Sequence, residues 1–456
     1  MRHFLLEFIM VVKKTQRLIK EYPSHTVFFS LLTMISIGML LLALPWSRHV
    51  SMNFIDLFFI ATSLTTVTGL TTIPFHDFTI FGQIVMLLLM QIGGLGLIVM
   101  SLMIMHILID FGLYTKILTT EISSIQSFKQ TKHMLLFIIK LTFLCEIIGA
   151  LATFCIIRND YPIGRALFLS LFHAVSSFCN VGVSLFHKNT LLYSTNIFML
   201  ITTTLLILLG GLGFFILHEF FNYIQKWRNH QKHDLSWHTK LILRFFFTTA
   251  IISGLLIWLL ERDNTLQNLT SLQTFFNMIL ISISTKSAGH LPIAITCVHP
   301  ATILLLATIA FIGSAPSSTG GGIKIGAFVI FLAVMQSIGK GASHVEINGK
   351  SIAKDQIYKA MTIIALSCLW IIIVLFCLLI TESNHETITI VYETISAFSN
   401  NGTSLGLTPL LSVYGKILII ATMIIGRIGA LTLIIGIRRA SDLSEDDHKQ
   451  PRIILD

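Results

Sequence analysis

Four times along this chain a short apolar run ends in a polar turn closed by glycine. The four glycines, Gly69, Gly182, Gly289 and Gly402, lie 113, 107 and 113 residues apart. A near-constant period carrying the same order of elements is the signature of an internal repeat. Each set reads alike. An apolar run long enough to cross a hydrocarbon core of about 30 Å as a helix precedes a run of roughly half that length, then comes the turn, then a second long apolar run. The half-length runs are 53–64, 163–178, 269–282 and 387–398. The sets span 25–109, 134–223, 237–336 and 357–438, between a basic leader at 1–24 and a tail at 439–456.

This pattern predicts an all-α polytopic membrane protein of four units, each an outer helix, a pore helix, a filter turn and an inner helix, in pseudo-fourfold arrangement around one pore. Composition agrees, with 54% hydrophobic and 12% charged residues against about 25% charged in soluble domains. The net charge of +9 could suggest nucleic acid, but the basic residues cluster in short loops between apolar runs, as the positive-inside pattern requires. Lys116, Lys129, Lys132, Lys226, Arg228, Lys232, Lys240, Lys340, Lys350, Lys354 and Lys359 fall on one side with both termini, expected to be cytoplasmic. The leader lacks a small-residue cleavage site and is not read as a signal peptide. Six scattered cysteines without a CxxC pair argue against a disulfide framework or metal cluster.

The turns are the candidate ion-binding site. Backbone carbonyls aimed at a common axis replace the hydration shell of a dehydrated ion, and glycine permits the backbone shape this needs. The candidate ligands are Thr68 and Gly69, Val181 and Gly182, Ala288 and Gly289, and Asn401 and Gly402. Helix C-termini pointing at such a centre favour a cation. No turn carries an acidic side chain, which favours a monovalent ion over a divalent one. Potassium is the expected ion.

The segment 300–336, as one helix at about 1.5 Å per residue, would exceed 50 Å, too long for the bilayer. It is expected to break at Gly313-Ser314-Ala315-Pro316-Ser317-Ser318-Thr319-Gly320-Gly321-Gly322. Irregular backbone at membrane depth must line a cavity or lie buried in protein, so the loop is read as a gate beneath the filter. Lys324 follows it, either paired near the pore or snorkelling. Arg427, in the middle of the last span, either raises the barrier to cations or holds the loop through its carbonyls. Glu146 and Arg244 are expected in interhelix pairs or at an interface, Glu393 to bond the neighbouring filter backbone, and His173 to serve packing.

Three stretches carry a resemblance: 172–180 with Gly182; Ser318-Thr319-Gly320-Gly321-Gly322-Ile323-Lys324; and Ile425-Gly426-Arg427-Ile428-Gly429 with Leu431-Thr432. With the fourfold order, the chain resembles the Trk/Ktr/HKT superfamily of potassium transporters, most closely its short bacterial KtrB-type membrane subunits. The resemblance implies four repeats around one pore, with glycine in all four filters as in the potassium-preferring members. It implies an intramembrane gate loop at 313–322 and the matching arginine at Arg427. It further implies a homodimer in a bacterial cell membrane on a cytosolic ring of nucleotide-binding RCK (KtrA-like) subunits, often stimulated by sodium.

The third turn, Thr285-Lys286-Ser287-Ala288-Gly289-His290, departs from the family pattern, as does the fourth, with Ser399-Asn400-Asn401 before Gly402, and Ala315-Pro316 is unusual in the loop. A sodium-preferring or sodium-coupled transporter of the same fold is the alternative. A membrane enzyme would need converging acid, base or metal-binding groups at one membrane face, and no such set is apparent in the sequence.

Overall fold

The computed structural model describes residues 23–109, 128–186, 194–231, 234–342 and 344–429, and these are mostly helical. The leader up to residue 22, the chain from 430 onward, Lys116, Lys232 and the side chains of Lys129 and Lys132 lie outside the described residues.

The helices come in the order α1 (Pro23–Ala43), α2 (Phe54–Thr65) and α3 (Ile80–Ile109); then α4 (Phe128–Ile157), α5 (Ile163–Phe178), α6 (Ile197–Gly211) and α7 (Phe214–Arg228). Next are α8 (Trp237–Glu261), α9 (Ser271–Ser284), α10 (Pro300–Ile312) and α11 (Ile325–Gly339). A short hairpin of β1 (Glu346–Ile347) and β2 (Lys350–Ser351) leads to α12 (Lys354–Thr381), α13 (Thr387–Phe398) and α14 (Val413–Ile428).

Among the described residues, segments of α4, α8 and α12 are each long and apolar enough to cross a membrane alone, and α6 with α7 reaches that length only as a bent pair. Their outer surfaces carry large exposed apolar groups, such as Ile251, Leu255 and Leu259 on α8 and Ile372, Phe376 and Ile380 on α12. Lipid accepts such surfaces where water would not. Hydroxyls on these helices bond back into the helix, Thr248 to the Arg244 carbonyl and Ser367 to that of Ile363, both at 2.7 Å.

Among the described residues, two long runs are interrupted and resume. The run 194–223, read from its sequence as one span, bends by 102° between α6 and α7. Gly213 sits at φ +89, a conformation side-chain-bearing residues resist. The run 300–336 stops at Ile312 and resumes at Ile325, with Gly313 at φ +71 and irregular backbone between.

Each half-length helix packs against a long helix of the preceding set: α5 on α3, α9 on α6, α13 on α10. The first, α2, packs on α14 from the far end of the chain. Polar contacts mark three of these four seams at the heads of the half-length helices. Lys416 on α14 pairs with Asp56 on α2 at 2.7 Å, their side chains only 13% and 8% exposed. The Arg165 guanidinium on α5 donates to the Gln83 amide oxygen on α3 at 3.0 Å. Gln273 on α9 donates to the Thr195 carbonyl just before α6, also at 3.0 Å.

Two buried carboxylates hold the heads of long helices. Glu261, closing α8, accepts from the His299 N–H (2.8 Å) and the Thr302 hydroxyl at the start of α10. Glu382, following α12, accepts from the Ser412 N–H and hydroxyl at the start of α14. A helix N-terminus presents unpaired N–H groups and a partial positive charge, so a carboxylate there is stabilising.

Candidate ion pathway

The half-length helices α2, α5, α9 and α13 end at Thr65, Phe178, Ser284 and Phe398, and each runs directly into a glycine turn. In three of them the chain reverses through a left-handed residue two before the glycine: Val67 (φ 60), Asn180 (φ 59) and Asn400 (φ 49). The N–H after it then bonds back into its helix: Thr68 to the Ser63 carbonyl (2.7 Å), Val181 to Ser176 (2.8 Å) and Asn401 to Ser396 (2.9 Å). The third turn differs. Ala288 donates to the Ser284 carbonyl at 2.7 Å, and Ser287 is not left-handed.

The four glycines all have positive φ, between 65 and 92. Each faces the backbone of the next turn. A methyl group on Gly69 would overlap the Val181 carbonyl oxygen, and one on Gly182 would lie 2.5 Å from that of Ala288. One on Gly289 would overlap the Asn401 oxygen, and one on Gly402 that of Thr68. The carbonyls preceding the four glycines are thus brought together in a closed cycle, with no side chain between neighbouring turns.

The other glycine clusters seat the long helices beneath this cycle. A side chain on Gly93 would strike the Thr65 carbonyl, on Gly210 that of Phe178, and on Gly426 that of Phe398. In each case the long helix lies against the last carbonyl of a half-length helix, close packing of the sort small residues permit.

The loop between α10 and α11 packs on α6, α7 and the turns. Ala315 N–H donates to the Gly211 carbonyl (3.3 Å), Thr319 N–H to that of Gly210 (3.2 Å), and Phe214 N–H to that of Ser317 (3.0 Å). The broken α6–α7 junction thus supplies partners for the loop's irregular backbone. Ser314 and Ser318 share a hydroxyl bond of 2.7 Å, and Pro316 sits against Gly213. Lys324 folds back, donating to the Gly320 carbonyl and to the Ser314 hydroxyl at 3.4 Å, so it does not snorkel. Arg427 donates to the Thr319 carbonyl and, at 2.7 Å, to that of Gly93, tying the loop to α3. Gly322 lies against Gly313, closing the loop's base.

Lys286, 2% exposed, leads away from the turns. Its ammonium donates to the Phe246 carbonyl (2.9 Å) and the Thr249 hydroxyl (2.6 Å) on α8 and lies 3.9 Å from the centre of the Phe246 ring. Glu393 bonds side chains rather than the filter backbone: it accepts from the hydroxyl of Ser404, at the end of the fourth turn, at 2.8 Å and from that of Thr408 beyond it. His173 packs at the α5–α6 seam, its Nε2 2.9 Å from the Thr203 hydroxyl. Glu146 is buried 4.0 Å from the Cys179 sulfur, and Arg244 is exposed on α8. Among the described residues no group of three metal-binding side chains converges. The polar seams and the carboxylates Glu261 and Glu382 were not singled out from the sequence, although Asp56, Arg165 and Gln273 all stand third in their helices.

Fold and site define a class: a multi-pass helical membrane protein of the kind that moves cations. The sequence matches the TrkH family, described as "Cation transport protein", over residues 9–446, and the chain belongs to that family. It is 32% identical to the Ktr system potassium uptake protein B of Bacillus subtilis, over 92% of this chain and 94% of that one. It is 29% identical to the potassium/sodium uptake protein NtpJ of Enterococcus hirae, over 94% and 96%. Its fold is similar to the crystal structure of the potassium transporter TrkH from Vibrio parahaemolyticus, with a TM-score of 0.71 at 16% identity, covering 91% of this chain and 84% of that one.

Proposed function

We propose that the chain is a potassium uptake protein of the bacterial cell membrane, in which four repeats of one chain surround a single pore in pseudo-fourfold arrangement. The observation that carries this reading is the closed cycle of glycines and carbonyls from Gly69 round to Thr68. A potassium ion sheds its water and is held by the carbonyls of Thr68, Val181, Ala288 and Asn401 and those of the glycines that follow them. The C-terminal ends of α2, α5, α9 and α13 add partial negative charge at the same place. Neutral oxygens bind such an ion weakly enough to release it, and in this reading transport runs down the electrochemical gradient.

The loop from Gly313 to Gly322, with Lys324 and Arg427, is the gate. Arg427 holds it shut by hydrogen bonds and adds positive charge to the path. The basic loops and both termini face the cytoplasm. There a ring of nucleotide-binding RCK subunits would move the loop through α7 and α11, and the membrane part would pair as a homodimer holding two pores. Sodium stimulates uptake in this scheme.

A second reading, sodium-preferring or sodium-coupled transport, is favoured by one feature: the third turn lacks the left-handed residue of the other three, which alters one quarter of the cycle. Growth of a potassium-uptake-deficient bacterium at low potassium tests the main reading. Rescue is expected from this chain and not from Gly69→Asp. Well-expressed protein without rescue would count against potassium uptake, and sodium flux undiminished by potassium would favour the second reading.

A further inference from the structure

The residues two before the filter glycines stand at equivalent positions, and three of the four meet the same three-residue stretch of the loop, Thr319 to Gly321. The Asn180 amide lies 2.8 Å from the Thr319 hydroxyl, a bond that persists whichever way the amide is turned. The Ser287 hydroxyl accepts from the Gly321 N–H at 2.8 Å. Gly321 also lies against the Asn400 side-chain oxygen and the Ser399 carbonyl, with no room for a side chain of its own. The Asn400 amide donates in turn to the Thr68 hydroxyl of the first turn (2.8 Å) and to the Met423 carbonyl on α14 (3.0 Å). All three residues are buried, Asn180 and Asn400 within 1% of full burial. The fourth equivalent, Val67, has no polar side chain to offer.

These contacts make the loop a wall of the filter as well as an obstacle beneath it. We propose that Asn180, Ser287 and Asn400 are positioning residues that make ion discrimination by the carbonyl cycle depend on the seated loop. Lifting the loop removes a bond from the second and third turns and the packing partner of the fourth, at the residues that set the direction of the next carbonyl. The filter then loosens as the path opens. By thermodynamic reciprocity, an ion that fits the intact cycle favours the seated loop. The proposal rests on the transport reading above and adds that gating and selectivity share these side chains.

A double-mutant cycle on Asn180→Ala and Thr319→Val tests it, read as the ratio of sodium to rubidium uptake in proteoliposomes. Each single variant is expected to raise the ratio about fivefold, and the double variant no further than the larger single. Ser287→Ala is expected to behave likewise, whereas Ser287→Thr, which keeps the hydroxyl, stays near the unmodified protein. Potassium-induced thermal stabilisation of the detergent-solubilised protein, which needs no transport, should fall in the alanine variants and persist in Ser287→Thr. Ratios within twofold of the unmodified protein in variants that still transport, or single effects that multiply in the double variant, would overturn the coupling and leave transport standing. An unmodified protein that carries neither ion would overturn the transport reading itself.

Discussion

Asp56, Arg165 and Gln273 each occupy the third position of a half-length helix; Arg165 and Gln273 reach across to the start of a long helix of the preceding set, and Asp56 to that of the last set. Of these contacts the Asp56–Lys416 pair is the most consequential, because it joins the first set to the last. Removing one member of a buried pair strands the other charge and costs about 3–5 kcal/mol, whereas replacing both with apolar groups is often neutral. Asp56→Ala should therefore lower the thermal midpoint of the solubilised protein by several degrees, and Asp56→Leu combined with Lys416→Met should recover most of the loss. Equal midpoints for Asp56→Ala and the unmodified protein would mean that the pair does not hold the seam. The partnership was not legible in the sequence, since 360 residues separate its members. What was legible was the turn itself. Thr68-Gly69 and its three counterparts announce their backbone shape by residue type, and Gly182→Ala, strained at φ +81 and set against the Ala288 carbonyl, should abolish rubidium uptake.

Helices carry the next level of constraint. The half-length helices stand out in the sequence because apolar runs of 12 to 16 residues, closed by a polar glycine turn, fit neither a span nor a surface loop. Length alone indicates that 300–336 cannot be one helix. The same criterion passes over the α6–α7 junction, where 194–223 is an acceptable span and only its bend of 102° exposes the break. A signal existed in Gly213, which stands in its cluster where Gly429 stands in the last, both with φ near 90. The junction and the loop share backbone bonds, so neither is a free kink. Deleting residues within 314–319 should remove the Thr319 anchor of Asn180 and Arg427 and raise rubidium flux severalfold in the absence of any cytosolic partner. Unchanged flux in that deletion would reduce the loop to a structural bend.

Across the whole molecule, what holds the sets together is the exclusion of side chains. Glycine faces carbonyl at four places between neighbouring turns and at three more where long helices meet the ends of α2, α5 and α13. The spacing of 113, 107 and 113 residues makes the sets visible in the sequence. It does not reveal which turn lies beside which, because adjacency depends on the closing contact of α2 with α14. The central claim is that all four turns of one chain form one ion path. Rubidium uptake into liposomes by the purified protein, measured for Gly69→Asp, Gly182→Asp, Gly289→Asp and Gly402→Asp separately, tests it most directly. A single shared path predicts at least a tenfold loss (about 1.4 kcal/mol or more in apparent barrier) for every one of the four; uptake at the unmodified rate in any one of them would contradict it.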